Sequence, residues 1–297
     1  MLDIKNHKSD NYFNVTGILN NIDVKKATSP KTKDDYISLE LEVRVDQAID
    51  GTVTENIIPI GLFANRHKKE NGKPGQELNM LYDKYVEYAN NLVSLGSADE
   101  NHPASKVTLS TEIRENNFMG KNGKRVDSWK LSTNFINEAR ASDEESARFK
   151  ITGVLVGKNP EVDKEGNETG RILLKICIVG YGGKANVIDF VATGAVAEHI
   201  DRNWEKGDTI KAAGLIAMTN KIIDIEENLG IGETQIRHQT VSRRELIITG
   251  CSEGCLDDSE AYDADDIKVA LDARKAYLAT LETQTQKSAP KNDGFGF

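Results

Sequence analysis

Residues 12–19 read YFNVTGIL, and residues 148–155 read RFKITGVL. Phe13 aligns with Phe149, Val15 with Ile151, Thr16-Gly17 with Thr152-Gly153, and Leu19 with Leu155. Both segments have the apolar alternation of a half-buried strand, with a glycine where a bulge would bend it. Downstream, Ile37, Leu39, Leu41 and Val43 alternate, as do Ile172, Leu174, Ile176 and Ile178. The first pair of segments lies 136 residues apart and the second 135, a one-residue change in the loop between them. A repeat of this length, present twice, means two copies of one β-rich domain rather than a stacked array. The competing account is two unrelated strands that share Thr-Gly by chance.

Length agrees with duplication: 297 residues suit two domains. With 38% hydrophobic and 29% charged residues, the chain can build packed cores under a well-solvated surface. No window approaches 18 uninterrupted apolar residues, and the opening MLDIKNHKSD has no signal-type apolar core. Three cysteines, an odd number, argue against a secreted disulfide scaffold. The expectation is a cytoplasmic protein, of a bacterial cell or an infected host cell, with no membrane role. Net charge is −9, but it is uneven. Residues 1–140 carry 19 Lys+Arg against 20 Asp+Glu, residues 141–256 carry 14 against 18, and residues 257–297 carry 5 against 9. A near-neutral first half is able to present a basic groove on one face, while an acidic end resists non-specific adhesion to phosphate.

Along the first copy, residues 57–63 predict a third strand interrupted by Pro59, and residues 66–75 a polar Gly/Lys-rich loop. Leu78, Leu81, Tyr85, Tyr88 and Leu92 step by three and four, which predicts a helix over 78–93 with its tyrosines in the packing. Val107, Leu109 and Ile113 open a fourth strand. Residues 116–125 form a long hairpin connection around Gly-Lys-Asn-Gly, and residues 127–135 a fifth strand. In the second copy, 157–170 is a polar first loop, 224–244 a charged hairpin arm and 245–249 the last strand. Ile267, Ala270, Leu271 and Leu278 predict a helix to about residue 282. The last 15 residues have no periodicity and are expected to be disordered.

The stretch 186–219 is the most diagnostic. Val187, Phe190 and Val191 belong to a short apolar run ending at Gly194. Val196, Ile200 and Trp204 then share one face of a short helix. Lys206-Gly207-Asp208 stops that helix, and a strand over 209–218 follows with Gly214 inside it. Asp189-Phe190-Val191-Ala192, Ala197-Glu198, Lys206-Gly207-Asp208 and Gly214 in this order resemble the third strand, helix and fourth strand of bacterial single-stranded-DNA-binding proteins. Carried to both copies, the resemblance implies a mainly β chain of two tandem OB folds. Each would be a five-stranded Greek-key barrel with one helix between strands 3 and 4, spanning residues 10–138 and 147–252. An acidic segment, a C-terminal helix and a flexible tail occupy 257–297. Two barrels in one chain look most like the larger bacteriophage single-strand binders.

Nothing in the sequence assembles an active site. Five histidines are scattered without metal-ligand spacing, and no phosphate loop or nucleophile elbow occurs. Cys251 and Cys255 are either half of a zinc site or two thiols at a strand end, and no second pair follows. No cofactor or metal is expected, and no catalysis. Single-strand binding instead needs rings on which bases stack and cations that follow the phosphates. The first copy offers Phe118, Lys121, Lys124 and Arg125 in its hairpin, with Trp129 and Lys130 just beyond. Arg66, Lys68 and Arg114 add charge, and Tyr36 opens the second strand beside Lys31 and Lys33. Trp129 is either a stacking platform or a core residue, whereas Phe118 in a glycine-rich loop has little core to enter. In the second copy Arg171, Lys175, Tyr181, Lys184, Arg243 and Arg244 are available for phosphate. Its third strand, however, places Val187, Asp189 and Thr193 where the resembling family has aromatics and a basic residue.

The expected function is sequence-independent binding of single-stranded DNA in replication or recombination. The alternative is an OB-fold adaptor that binds proteins. The resemblance also implies a role for the C-terminal tip, where Asp293, Phe295 and Phe297 would recruit replication or recombination proteins. The family tip carries several acids and this one a single acid, so a plain unstructured end is the competing reading. Oligomeric state stays open.

Overall fold

The computed structural model describes residues 1–120, 122–227 and 235–288. Five strands close the first barrel: β1 (Asn11–Thr28), β2 (Asp35–Ile49), β3 (Thr52–Asn65), β6 (Lys106–Glu115) and β9 (Trp129–Ser132). Hairpin strands β4 (His67–Glu70) and β5 (Lys73–Leu78), helix α1 (Met80–Asn91), the short pair β7 (Phe118–Met119) and β8 (Arg125–Val126), and β10 (Asn137–Glu138) fill the connections. The second barrel comprises β11 (Ser146–Val162), β12 (Glu168–Val179), β13 (Ala185–Ala192), β14 (Thr209–Glu227) and β15 (Gln235–Cys251), with α2 (Gly194–Asn203) between β13 and β14. Helix α3 (Ala264–Ser288) follows.

Closure is the same in both. In the first, β1 pairs with β2, β2 with β3, β3 with β9 in parallel, β9 with β6, and β6 back with β1. In the second, β11, β12, β13, β15 and β14 repeat that cycle, including the parallel step between β13 and β15. This is the OB-fold barrel, twice. The alternation of the sequence supplies the interiors: Ile37, Leu39, Leu41 and Val43 in one and Leu174, Ile176 and Ile178 in the other are buried. Trp204, fully buried, anchors the end of α2, and its indole N–H donates to the Ser252 carbonyl at 3.1 Å.

The Thr-Gly motif has a geometric cause. A Cβ on Gly17 would stand 2.2 Å from the Arg44 carbonyl oxygen, and one on Gly153 would stand 2.8 Å from that of Cys177. At both places the first strand crosses so close to the second that only glycine fits. A bulge follows each glycine, directly after Leu19 opposite Val43 and after Leu155 opposite Ile176. Val43 therefore corresponds to Ile176, and the spacing in the second strand is 133 residues, not 135. A two-residue slide preserves a period of two and leaves no trace in the hydrophobic pattern.

Several boundaries move for physical reasons. The polar loop at 66–75 is a hairpin, closed by Asn71-Gly72 with Asn71 at φ 49°; Asn-Gly is a strong two-residue turn signal. Pro59 does not interrupt its strand, since β3 pairs with β2 through Glu42–Pro59 without a break. Helix α1 starts later than expected because the Asn79 side chain caps it, accepting from the Leu81 N–H at 3.2 Å, which leaves Leu78 outside and exposed. The fifth strand is only Trp129–Ser132. In the second copy the supposed loop at 157–170 is mostly strand, β11 running to Val162 and β12 starting at Glu168. Its last strand likewise begins at Gln235 rather than 245.

The two barrels are fused rather than strung together. The Thr-Gly strands pair with each other antiparallel, with Phe13 opposite Phe149. These two buried rings stack with centroids 5.4 Å apart, and Phe149 meets Phe190 at 5.3 Å. Such ring pairs add about 0.5–1.5 kcal/mol beyond their buried area. Buried amides complete the junction. Gln47 donates to the Ile216 carbonyl at 2.8 Å and accepts from the Ala147 N–H at 2.9 Å, while Asn56 accepts from the Met218 N–H at 2.9 Å. Separating the barrels would break these three hydrogen bonds.

Candidate nucleic-acid interface

On the outer face of the first barrel, β2, β3, β6 and β9 line an open groove of about 570 Å³. Phe63 and Phe135 border it, 55% and 56% exposed, and Arg114, Lys130 and Arg244 supply cations against Glu40 and Glu112. Tyr36 packs beside Phe63 with centroids 5.4 Å apart. Exposed rings in a groove are what base stacking requires. Phe63 and Phe135 are absent from the sequence-derived set, although a signal for Phe63 exists. Ile58, Ile60, Leu62 and Ala64 are buried, so strand alternation turns Phe63 outward.

Arg244 borders a second groove of about 430 Å³ between the barrels, where Trp129 of the first meets Leu173, Lys175 and Asp189 of the second. The Arg244 guanidinium lies 4.2 Å from the Trp129 ring centroid and also donates to the Trp129 carbonyl. Trp129 is thus half-buried, packed against the core on one side and covered by a cation on the other. Burial pushes the Arg244 pKa below the ordinary guanidinium value, and the ring face compensates part of that desolvation.

Most of the expected phosphate-binding cations are already engaged by carboxylates. Arg66 meets Asp35 at 3.6 Å, Lys68 meets Glu77, and Arg114 meets Glu112 at 2.8 Å. Arg125 is held by Asp127 at 2.7 Å and by Glu282 of α3 at 2.7 Å. Lys175 meets Asp189 at 2.7 Å. Arg171 reaches Glu161 at 3.3 Å and Glu245 at 2.6 Å, and Arg243 reaches Glu245 at 2.7 Å and Asp50 at 3.0 Å. Burial alone would raise the Glu245 carboxyl, but hydrogen bonds from Arg171 and Arg243 together hold it below the usual carboxylate range. Among the described residues, Lys124, Lys130 and Lys184 have no side-chain partner. Phe118 is 46% exposed on β7, whose partner β8 carries Arg125. Lys121, Asp293, Phe295 and Phe297 lie outside the described residues.

Cys251 is partly buried at the end of β15 and Cys255 is exposed. Among the described residues no three metal-ligating side chains come together, and no helix is long and apolar enough to cross a membrane.

The profile of one protein family, YorF, matches residues 9–284. The chain belongs to the YorF family. No curated protein matches the sequence significantly. Among solved structures, the wild-type single-stranded DNA binding protein from Thermus aquaticus is similar with a TM-score of 0.50 and 11% identity, over 86% of this chain and 98% of that one. A deletion mutant of the same protein gives a TM-score of 0.49 at 11% identity, over 84% and 97%. At this identity the likeness is one of fold, and it extends over both barrels of this chain.

Proposed function

We propose that the chain binds single-stranded DNA, largely without regard to sequence and without catalysis, across the groove of its first barrel. One observation carries this reading: Phe63 and Phe135 stand open in a groove on an OB barrel, and the rings of Tyr36 and Trp129 and the cations Lys130 and Arg244 sit at its margins. Both rings are more than half exposed, and every base has a face to stack on them. The fold likeness to a protein named for single-stranded DNA binding supports the same reading. The chain is taken as two units, 10–138 and 147–252, with 257–297 as an appendage. The second unit contributes chiefly Arg244. A place in replication or recombination, a bacteriophage-type two-barrel architecture, and recruitment of partners through Asp293, Phe295 and Phe297 belong to this proposal.

A second reading, an adaptor that binds proteins, is favoured by the pairing of so many cations with acids. The two differ in response to salt and strandedness. Titration of the full chain with oligo-dT, the matching duplex and single-stranded RNA, at several salt concentrations, separates them. Tight binding to oligo-dT that weakens steeply with salt is expected. Equal affinity for duplex and single strand, or none for either, would overturn the proposal.

A further inference from the structure

Helix α3 closes a third cavity, of about 500 Å³, against the β6–β7 connection and the turn between β12 and β13. Its walls carry three cations, Lys130, Lys184 and Arg274, against one carboxylate, Glu115. That carboxylate is fully engaged: Arg274 donates to it from two nitrogens, both at 2.6 Å, and the Val187 N–H at 2.8 Å. The amines of Lys130 and Lys184 are left uncompensated among the described residues, in a chain of net charge −9. By contrast, the groove between the barrels has two cations against three acids, and the groove on the first barrel has three against two. The pocket under α3 is therefore the most cationic of the three. Tyr277, 55% exposed, stands at its wall, and the side-chain amide of Asn116 is without a hydrogen-bond partner among the described residues. Two unpaired amines, a free amide and an open ring match a phosphate and the base attached to it.

Continuity identifies the source of that nucleotide. Lys130 lines both this pocket and the groove bearing Phe63 and Phe135. We infer that a single strand lying on the first barrel continues past Lys130 and seats one nucleotide beneath α3, its phosphate between Lys130 and Lys184 and its base against Tyr277. The C-terminal helix is then part of the binding surface. This inference rests on the single-strand reading above.

The test uses the full chain and a fluorescent oligo-dT of about 30 nucleotides, long enough to exceed the site of one OB fold. Lys184→Ala and Tyr277→Ala change exposed side chains. Lys268→Ala removes the same charge from α3 away from the pocket and serves as control. Tyr277→Ala is expected to weaken binding about tenfold, Lys184→Ala about threefold or more at low salt, and Lys268→Ala less than twofold. Photo-crosslinking with 5-iodouracil-substituted oligonucleotide is expected to label a peptide from residues 264–288. Equal affinities for Lys184→Ala, Tyr277→Ala and Lys268→Ala, with no label on α3, would overturn the inference while leaving the groove intact. A wild-type chain that fails to bind any single strand would overturn the functional reading itself, and this extension with it.

Discussion

Trp129→Ala gives the most informative perturbation at the margin of the groove, where the barrels meet. An open ring that stacks a base contributes about 1–3 kcal/mol. Trp129 is half-buried, and the Arg244 guanidinium occupies ring surface at 4.2 Å, so the contribution falls in the lower part of that range, about 1–2 kcal/mol. This corresponds to a rise in Kd of about five- to thirty-fold. Fluorescence anisotropy with labelled oligo-dT measures it directly. The chain has two tryptophans, which makes a second readout simple. Trp204 is fully buried and its N–H is bound to the Ser252 carbonyl, so a change in emission on adding oligonucleotide to the wild type belongs to Trp129. The variant should lose that change while keeping the Trp204 emission that reports folding. An unchanged Kd for a folded Trp129→Ala, against clear binding by the wild type, would refute the stacking argument.

Lys124→Ala should reduce the slope of log K against log salt by about one, because its amine has no acidic partner among the described residues; Arg125→Ala, already neutralised by Asp127 and Glu282, should change it less. Gly214→Ala should destabilise the second barrel by ~3 kcal/mol, since its Cβ would stand 1.9 Å from the Ile247 carbonyl oxygen; thermal unfolding should show Tm lowered by roughly 6–12 °C, and an unchanged Tm would contradict the packing. Glu245 has a depressed folded-state pKa, so its contribution is complete above the unfolded carboxylate pKa and lost as pH falls through the folded value. Wild type and Glu245→Gln should therefore differ in Tm at pH 7, and the difference should shrink as pH falls below the ordinary carboxylate value of about 4; a difference independent of pH would refute the assignment.

What the sequence determined by itself was the pattern that local chemistry imposes. Alternation at 37–43 and 172–178 set strands with one buried face, Val196, Ile200 and Trp204 set a helix, and the glycine of Thr-Gly marked a bend in each first strand. Each of these depends on residues within a few positions of one another, and a single chain displays them. The tertiary structure decided what depends on distant partners. That β1 pairs with β11 follows from which strand edges come together, and no period records it. Which cations are free was equally hidden: Arg171 finds Glu245 across 74 residues and Arg125 finds Glu282 across 157. Opposite charges attract regardless of separation in sequence, so only the folded chain assigns their partners. The same is true of Trp129, whose ring is partly covered by an arginine from the other barrel, and of the pocket where α3 returns over Lys130 and Lys184.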